Sequence, residues 1–151
     1  MDKNTLLSEH FTFGQLVATQ NRKYIEQNYD LGLNYVDNLT RLATELLEPI
    51  WELIGPFSVT SAFRCSALNK AIGGAPGSQH CTGEAADIIH GYTKLDQVWN
   101  GIAVSTIPYG QLIYEFGSWV HVSLPTASKQ GQKLMASLIE GKTVYAQINH
   151  I

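Results

Sequence analysis

The sequence predicts an α+β fold, with helices first and a small sheet behind them. Three observations carry this expectation. Residues 34 to 47 repeat apolar side chains at helical spacing; from residue 57 onward the apolar period shifts toward two and β-forming residues gather; and no internal repeat, low-complexity run or linker interrupts the chain. A length of 151 residues suits one compact domain, residues 1–151, able to bury a core without disulfides.

The elements follow in order. In SEHFTFGQLVATQ, Thr12 followed by Gln15 fits a capping box, with Phe11 placed to staple the start of a short helix. The next helix presents Val36, Leu39, Leu42, Ala43, Leu46 and Leu47 on one face; Pro49 limits or kinks it, and Gly55-Pro56 ends the segment. FSVTSAF, 57 to 63, reads as a strand, and 85 to 89 places Ala85, Asp87 and Ile89 on one face of another. A helix over 94 to 104 is expected to start at Thr93, and the strands GQLIYE and WVHVS follow. The segment 126–151 reads as a C-terminal hairpin turning near Glu140-Gly141, or as a helix-strand extension.

Composition narrows the function classes. Hydrophobic residues make up 44% and charged residues 15%, ordinary for a soluble globular chain. A formal charge of −3 offers no broad basic surface, so no nucleic-acid partner is expected. MDKNTLLSEHFTF holds no apolar stretch long enough for a signal peptide, and no segment is long enough to span a membrane. The expected chain is made in the cytoplasm, and acting outside would need a separate release system. Cys65 and Cys81 are too few for a disulfide framework, although they flank the region of interest.

That region is GGAPGSQHCTGEAADI, residues 73 to 88. It is not a P-loop, which requires Gly-Lys-Ser/Thr, nor the G-x-G-x-x-G of a dinucleotide loop. Its glycines permit positive φ in an ordinary surface loop, but the loop does not stand alone. His80 lies seven residues before Asp87, and WVHVS supplies His121 between valines. With Val120 and Val122 facing the core, Trp119, His121 and Ser123 face the other way. Two imidazoles and a carboxylate make a three-ligand zinc set with one position open to water, as a catalytic zinc needs. Each has a plainer alternative: a strand histidine is often a surface residue, and Asp87 also fits a buried hydrogen-bond acceptor. His10, His90 and His150 are expected to be structural or solvent-facing, with His90 and Glu84 on the strand face opposite Asp87.

Ser61-Ala62-Phe63-Arg64, Leu68-Asn69, Gly73-Gly74, Ser78-Gln79-His80, Gly83-Glu84-Ala85-Ala86-Asp87 and Trp119-Val120-His121-Val122-Ser123 together resemble the zinc peptidases of the D-alanyl-D-alanine carboxypeptidase family, peptidase M15. The likeness runs over about residues 8–124 and is nearest to small single-domain phage and prophage members. It implies N-terminal helices packed on a small, mainly antiparallel sheet that carries zinc on His80, Asp87 and His121. It also implies hydrolysis of peptide bonds in bacterial peptidoglycan stem peptides by zinc-bound water, as a D,D-carboxypeptidase or an endolysin-type endopeptidase. Arg64 takes the family's arginine position, where it would meet a substrate carboxylate or the developing oxyanion. Ser78 would orient the ligand loop, and Ser61 and Trp119 would support the site or touch substrate, with Tyr109 and Tyr114 as further aromatics of the groove. Such an enzyme would act on the cell wall after release by a holin-like system, or from a virion.

Two positions depart from the family pattern. Cys65 stands where relatives often have serine, and Ser118 stands where several place the general-base carboxylate, three residues before the last histidine. Glu115 is the replacement candidate, and hairpin parity decides its side. A two-residue Gly117-Ser118 turn pairs Tyr114 with His121 and sends Glu115 away; a three-residue loop, Phe116 to Ser118, pairs Glu115 with Trp119 and puts it on the His121 face. Without Glu115, zinc-bound hydroxide would act with only water or a histidine as proton relay; the competing non-enzymatic reading is a zinc-stabilised binding module or a phage structural part.

Overall fold

The computed structural model describes residues 1–151. The N-terminal part is helical: α1 (Phe13–Val17), α2 (Ile25–Gly32), α3 (Val36–Leu42) and α4 (Glu48–Ile54), with α5 (Ser66–Ala71) and α6 (Leu95–Val104) between the strands. The strands are β1 (Ser58–Ser61), β2 (Ala85–Ile89), β3 (Gln111–Glu115), β4 (Trp119–Ser123), β5 (Gln132–Ile139) and β6 (Lys142–Gln147). They form one sheet in the order β1-β2-β4-β3-β5-β6. Every pair is antiparallel except β3 with β5, so the fold is α+β with a mainly antiparallel sheet.

Local chemistry explains the starts and stops. The Thr12 hydroxyl accepts from the Gln15 backbone N–H while the Gln15 side chain accepts from the Thr12 N–H, a complete capping box at α1. The helix expected over 34 to 47 runs further, because α3 and α4 are joined through a π-helical turn at Ala43–Leu47. In that turn the Glu48 N–H bonds back five residues to the Ala43 carbonyl, and Pro49, which has no N–H to give, enters the first turn of α4 without ending the helix. Gly55, at φ 78°, closes it.

Other boundaries differ from the sequence expectation. The strand expected over 57 to 63 is only Ser58–Ser61, because a bulge between Val59 and Ser61 breaks its register with β2 and the chain then turns inward, burying Ala62 and Phe63. Helix α6 begins at Leu95, with Lys94 rather than Thr93 at the cap and no side-chain cap bond. The first half of the C-terminal segment is strand, since β5 pairs residue for residue with β3 from Gln111↔Gln132 to Glu115↔Ala136. Its turn to β6 uses Glu140 and Gly141, both at positive φ, as a two-residue hairpin of the favoured twist demands.

The sheet has two unlike faces. Ile88, Val120, Val122 and Leu112 meet Leu39, Leu42, Leu46, Ile50, Phe13, Leu16 and Trp99 in one core, each at most 0–2% exposed. Burying each large aliphatic side chain there contributes roughly 1.5–3 kcal/mol, so the helices are held to this face. The opposite face carries the alternate residues of the same strands, Asp87, His121 and Ile113, and is open to solvent through a groove. No helix is long and apolar enough to cross a membrane.

Candidate metal centre

The groove encloses about 1160 Å³. Its floor is the sheet face opposite the core, and register places the polar side chains: Ser61 pairs with Asp87, Asp87 with His121, and His121 with Ile113, so all point to one side.

His80 reaches this face from the loop. Ser78 caps the 3-10 turn Gln79–Thr82, its hydroxyl accepting from the His80 N–H at 3.2 Å. Gly83, in the left-handed region at φ 74°, then turns the chain into β2, and a Cβ there would sit 3.1 Å from Leu39. At Gly74 a Cβ would fall 2.1 Å from the Asn69 side-chain oxygen, so two glycines of the stretch answer close approaches rather than a ligand.

Three ligand atoms converge, all from buried residues. His80 Nε2 lies 3.3 Å from Asp87 Oδ1 and 3.2 Å from His121 Nδ1, and His121 Nδ1 lies 3.0 Å from Asp87 Oδ1. A tetrahedral ion with bonds of about 2.0–2.1 Å sets its ligand atoms about 3.3 Å apart, so the triangle fits zinc. The donor chemistry fits as well. His80 Nδ1 lies 2.6 Å from the Ala62 carbonyl, an acceptor, so that nitrogen carries the proton and Nε2 presents a lone pair to the other two ligand atoms. Lone pairs so close repel unless a cation lies between them.

Charge around the triangle is ordered. Burial alone would raise Asp87, but His80 and His121 outweigh it and hold its carboxyl well below the usual carboxylate range. Arg64 Nη1 lies 3.8 Å from Asp87 Oδ2. Burial lowers the Arg64 pKa, while the charges of Asp87, Cys81 and Glu115 oppose that shift. The β3–β4 loop is the three-residue form: Glu115 pairs with Trp119, and its Oε1 lies 3.7 Å from His121 Nδ1. Burial raises the Glu115 pKa, an effect that the His121 charge partly offsets and the Asp87 charge reinforces. The Trp119 indole N–H, buried without a hydrogen-bond partner at ordinary distance, is close enough to favour the ionised form.

Of the residues singled out in the sequence, His80, Asp87, His121, Glu115, Arg64, Ser61, Ser78 and Trp119 all line the groove. Tyr109 and Tyr114 do not: Tyr109, in the loop before β3, is buried in the core, and β3 turns Tyr114 to the helix side, where it packs against that core. Cys65 is buried and Cys81 half-buried, both free thiols outside the ligand triangle. His90 accepts from the Tyr92 and Thr93 N–H groups at Nδ1, and its Nε2 lies 2.8 Å from the Ile54 carbonyl, a structural role.

One supporting residue carries no sequence signal. Asn28 is fully buried; its amide donates to the Val17 and Phe63 carbonyls at 2.7 and 3.0 Å, and its carbonyl accepts from the Cys65 N–H at 2.7 Å. It therefore grips the backbone on both sides of Arg64, while the Arg64 N–H bonds the His80 carbonyl at 3.0 Å. A lone asparagine in the polar helix α2 gives no hint of this.

A buried His/Asp/His triangle beside a carboxylate lies on the open face of the mainly antiparallel sheet, where it could hold a metal ion. Residues 10–123, more than half of the chain, match the family described as Peptidase M15, and the chain belongs to that family. Among curated proteins no match was found.

Proposed function

We propose that this protein is a zinc-dependent hydrolase of peptide bonds in bacterial peptidoglycan stem peptides. The observation that carries the reading is the juxtaposition of the His80–Asp87–His121 triangle with Glu115, 3.7 Å from His121, in one groove. Zinc, when bound, supplies Lewis acidity and a water nucleophile at neutral pH, the water's pKa falling toward ~7.

The chain's own residues do the rest. Glu115 takes the water proton and passes it to the leaving amine; its burial, which favours the protonated form, suits it to the second task. Arg64, whose Nε is buried without a partner, donates to the tetrahedral oxygen or to a substrate carboxylate. The Ala62 carbonyl fixes the orientation of the His80 imidazole. No covalent intermediate is required.

The likeness to small phage and prophage members extends the proposal to an endolysin-type enzyme that reaches the wall through a separate release system or from a virion. The test is mass spectrometry of purified peptidoglycan incubated with zinc-loaded protein, with and without a chelator. Chelator-sensitive fragments are expected, and their new ends distinguish a D,D-carboxypeptidase from an endopeptidase. Unchanged peptidoglycan with zinc still bound would replace the peptidase by a zinc-stabilised binding module.

A further inference from the structure

The far wall of the groove is built by residues outside the segment that matches the family. β5 and β6 lie beyond residue 123, yet Leu134, Thr143 and Tyr145 line the same groove as His80 and Arg64. Register identifies the residue that matters. Glu115 pairs with Ala136, and Ala136 pairs with Tyr145, so the three share one face in a row two strand spacings wide, roughly 10 Å. Ala136 has only a methyl group but is 1% exposed, which fits the two larger side chains leaning over it from either side.

Covering Ala136 accounts for only part of Tyr145. Every residue of β6 is exposed, and Tyr145 keeps 55% of its surface in solvent at the rim of the groove. The strand therefore presents an aromatic ring to the groove with little fold stability in return. The same groove holds a buried donor without a partner, Arg64 Nε, which calls for an acceptor oxygen from a ligand. An amide-rich chain supplies such oxygens.

We propose that Tyr145 is a substrate-binding residue, its ring and hydroxyl holding the peptide residue on the leaving-amine side of the scissile bond, and that hairpin β5–β6 is the groove wall this chain adds to the family's site. The inference rests on the peptidase reading above. If Glu115 hands its proton to the leaving amine, that amine lies within hydrogen-bond reach of Glu115. A peptide residue spans about 3.3–3.6 Å, so the residue bearing the amine continues over Ala136 toward Tyr145. An aromatic rim there gains contact area at small entropic cost, since the ring has only two side-chain torsions.

The test uses the full zinc-loaded chain and two variants, Tyr145→Ala and Tyr145→Thr, the second retaining a strand-forming residue. With a stem peptide that the wild type cleaves, both variants are expected to raise KM about tenfold with kcat within about twofold, and to leave zinc content and Tm unchanged. With a peptide shortened on the leaving-amine side so that only a small amine departs, the penalty should vanish. Equal KM values for wild type and both variants on the longer peptide would overturn the role of Tyr145 and leave the peptidase standing. A penalty that persists on the shortened peptide would also overturn the placement. A wild type that cleaves no stem peptide would bring down the peptidase reading itself, and this inference with it.

Discussion

Glu115 and His121 lie on the same face of adjacent strands, with Glu115 Oε1 3.7 Å from His121 Nδ1, although Glu115 is paired not with His121 but with Trp119. The three-residue loop Phe116 to Ser118, with Phe116 and Gly117 at positive φ, sets that parity. In the proposed mechanism a carboxylate held there stands in for the acid missing at Ser118. Glu115→Gln is therefore predicted to bind zinc as the wild type does and to lose roughly 10²–10⁴ in kcat, measured by peptide hydrolysis alongside metal content. Full turnover in Glu115→Gln would remove it from the chemistry.

The ligand triangle predicts metal-linked stability. Its three atoms come from β2, β4 and the loop between β1 and β2, so an ion there ties separate elements together. Zinc at 100-fold above its Kd should stabilise the fold by about 2.7 kcal/mol, visible as a rise in Tm that a chelator reverses. His80→Ala and His121→Ala should each abolish that rise and activity together. A zinc-dependent shift that survives either substitution would place the metal elsewhere.

Legibility in the sequence followed the range of each interaction. The capping box at Thr12, the apolar face Leu39–Leu47 and the Glu140-Gly141 turn depend on neighbours a few residues away, and all were readable. The family was readable too, because its motif residues sit in compact blocks between 61 and 123. Asn28 was not, since its partners at Val17, Phe63 and Cys65 are brought together only by folding. Tyr145 carries no local signal for the same reason: its place in one row with Ala136 and Glu115 depends on the parallel pairing of β5 with β3, a crossover no local pattern announces. The boundary that failed, at residues 62–63, is a place where a bulge overrode propensity, whereas the helix is irregular just before Pro49 and ends at Gly55, as the sequence indicates.

Asn28 gives a prediction at a distance from the metal. Asn28→Ala removes three buried hydrogen bonds and leaves the Val17 and Phe63 carbonyls and the Cys65 N–H without partners. A loss of about 3 kcal/mol is expected, read from urea unfolding. Because the backbone on either side of Arg64 loses its anchor, kcat should fall more than zinc affinity does. Asn28→Asp keeps the acceptor for Cys65 but turns a carboxylate oxygen toward two carbonyls in a fully buried site, so at neutral pH it should be at least as destabilised as Asn28→Ala. A wild-type midpoint in Asn28→Ala would show that these bonds contribute nothing net.

The N-terminal segment carries a pH-dependent clasp far from the groove. His10 Nδ1 lies 2.7 Å from Glu48 Oε2, the other Glu48 oxygen accepts from the Ser8 hydroxyl and the His10 N–H, and the imidazole stacks on Trp51 with ring centroids 4.3 Å apart. The hydrogen bond to Glu48 raises the His10 pKa above 6.5 against a smaller desolvation effect, with the Glu48 and Glu9 charges adding to the rise. Burial pushes Glu48 up, but the bonds from His10 and Ser8 outweigh it and bring the carboxyl below 4.5. A raised histidine contributes stability that is full below its unfolded value and lost as pH climbs through the folded one. A depressed carboxyl contributes stability that is full above its unfolded value and lost as pH falls through the folded one. The clasp should therefore act most strongly between pH 4.5 and 6.5. The Tm difference between wild type and Glu48→Gln is expected to peak in that window and shrink on both sides. The variant keeps an acceptor for Ser8 and the His10 N–H, so the pH-dependent part reports the ion pair. A difference that stays flat from acid to alkaline pH would mean that the two charges do not meet in solution.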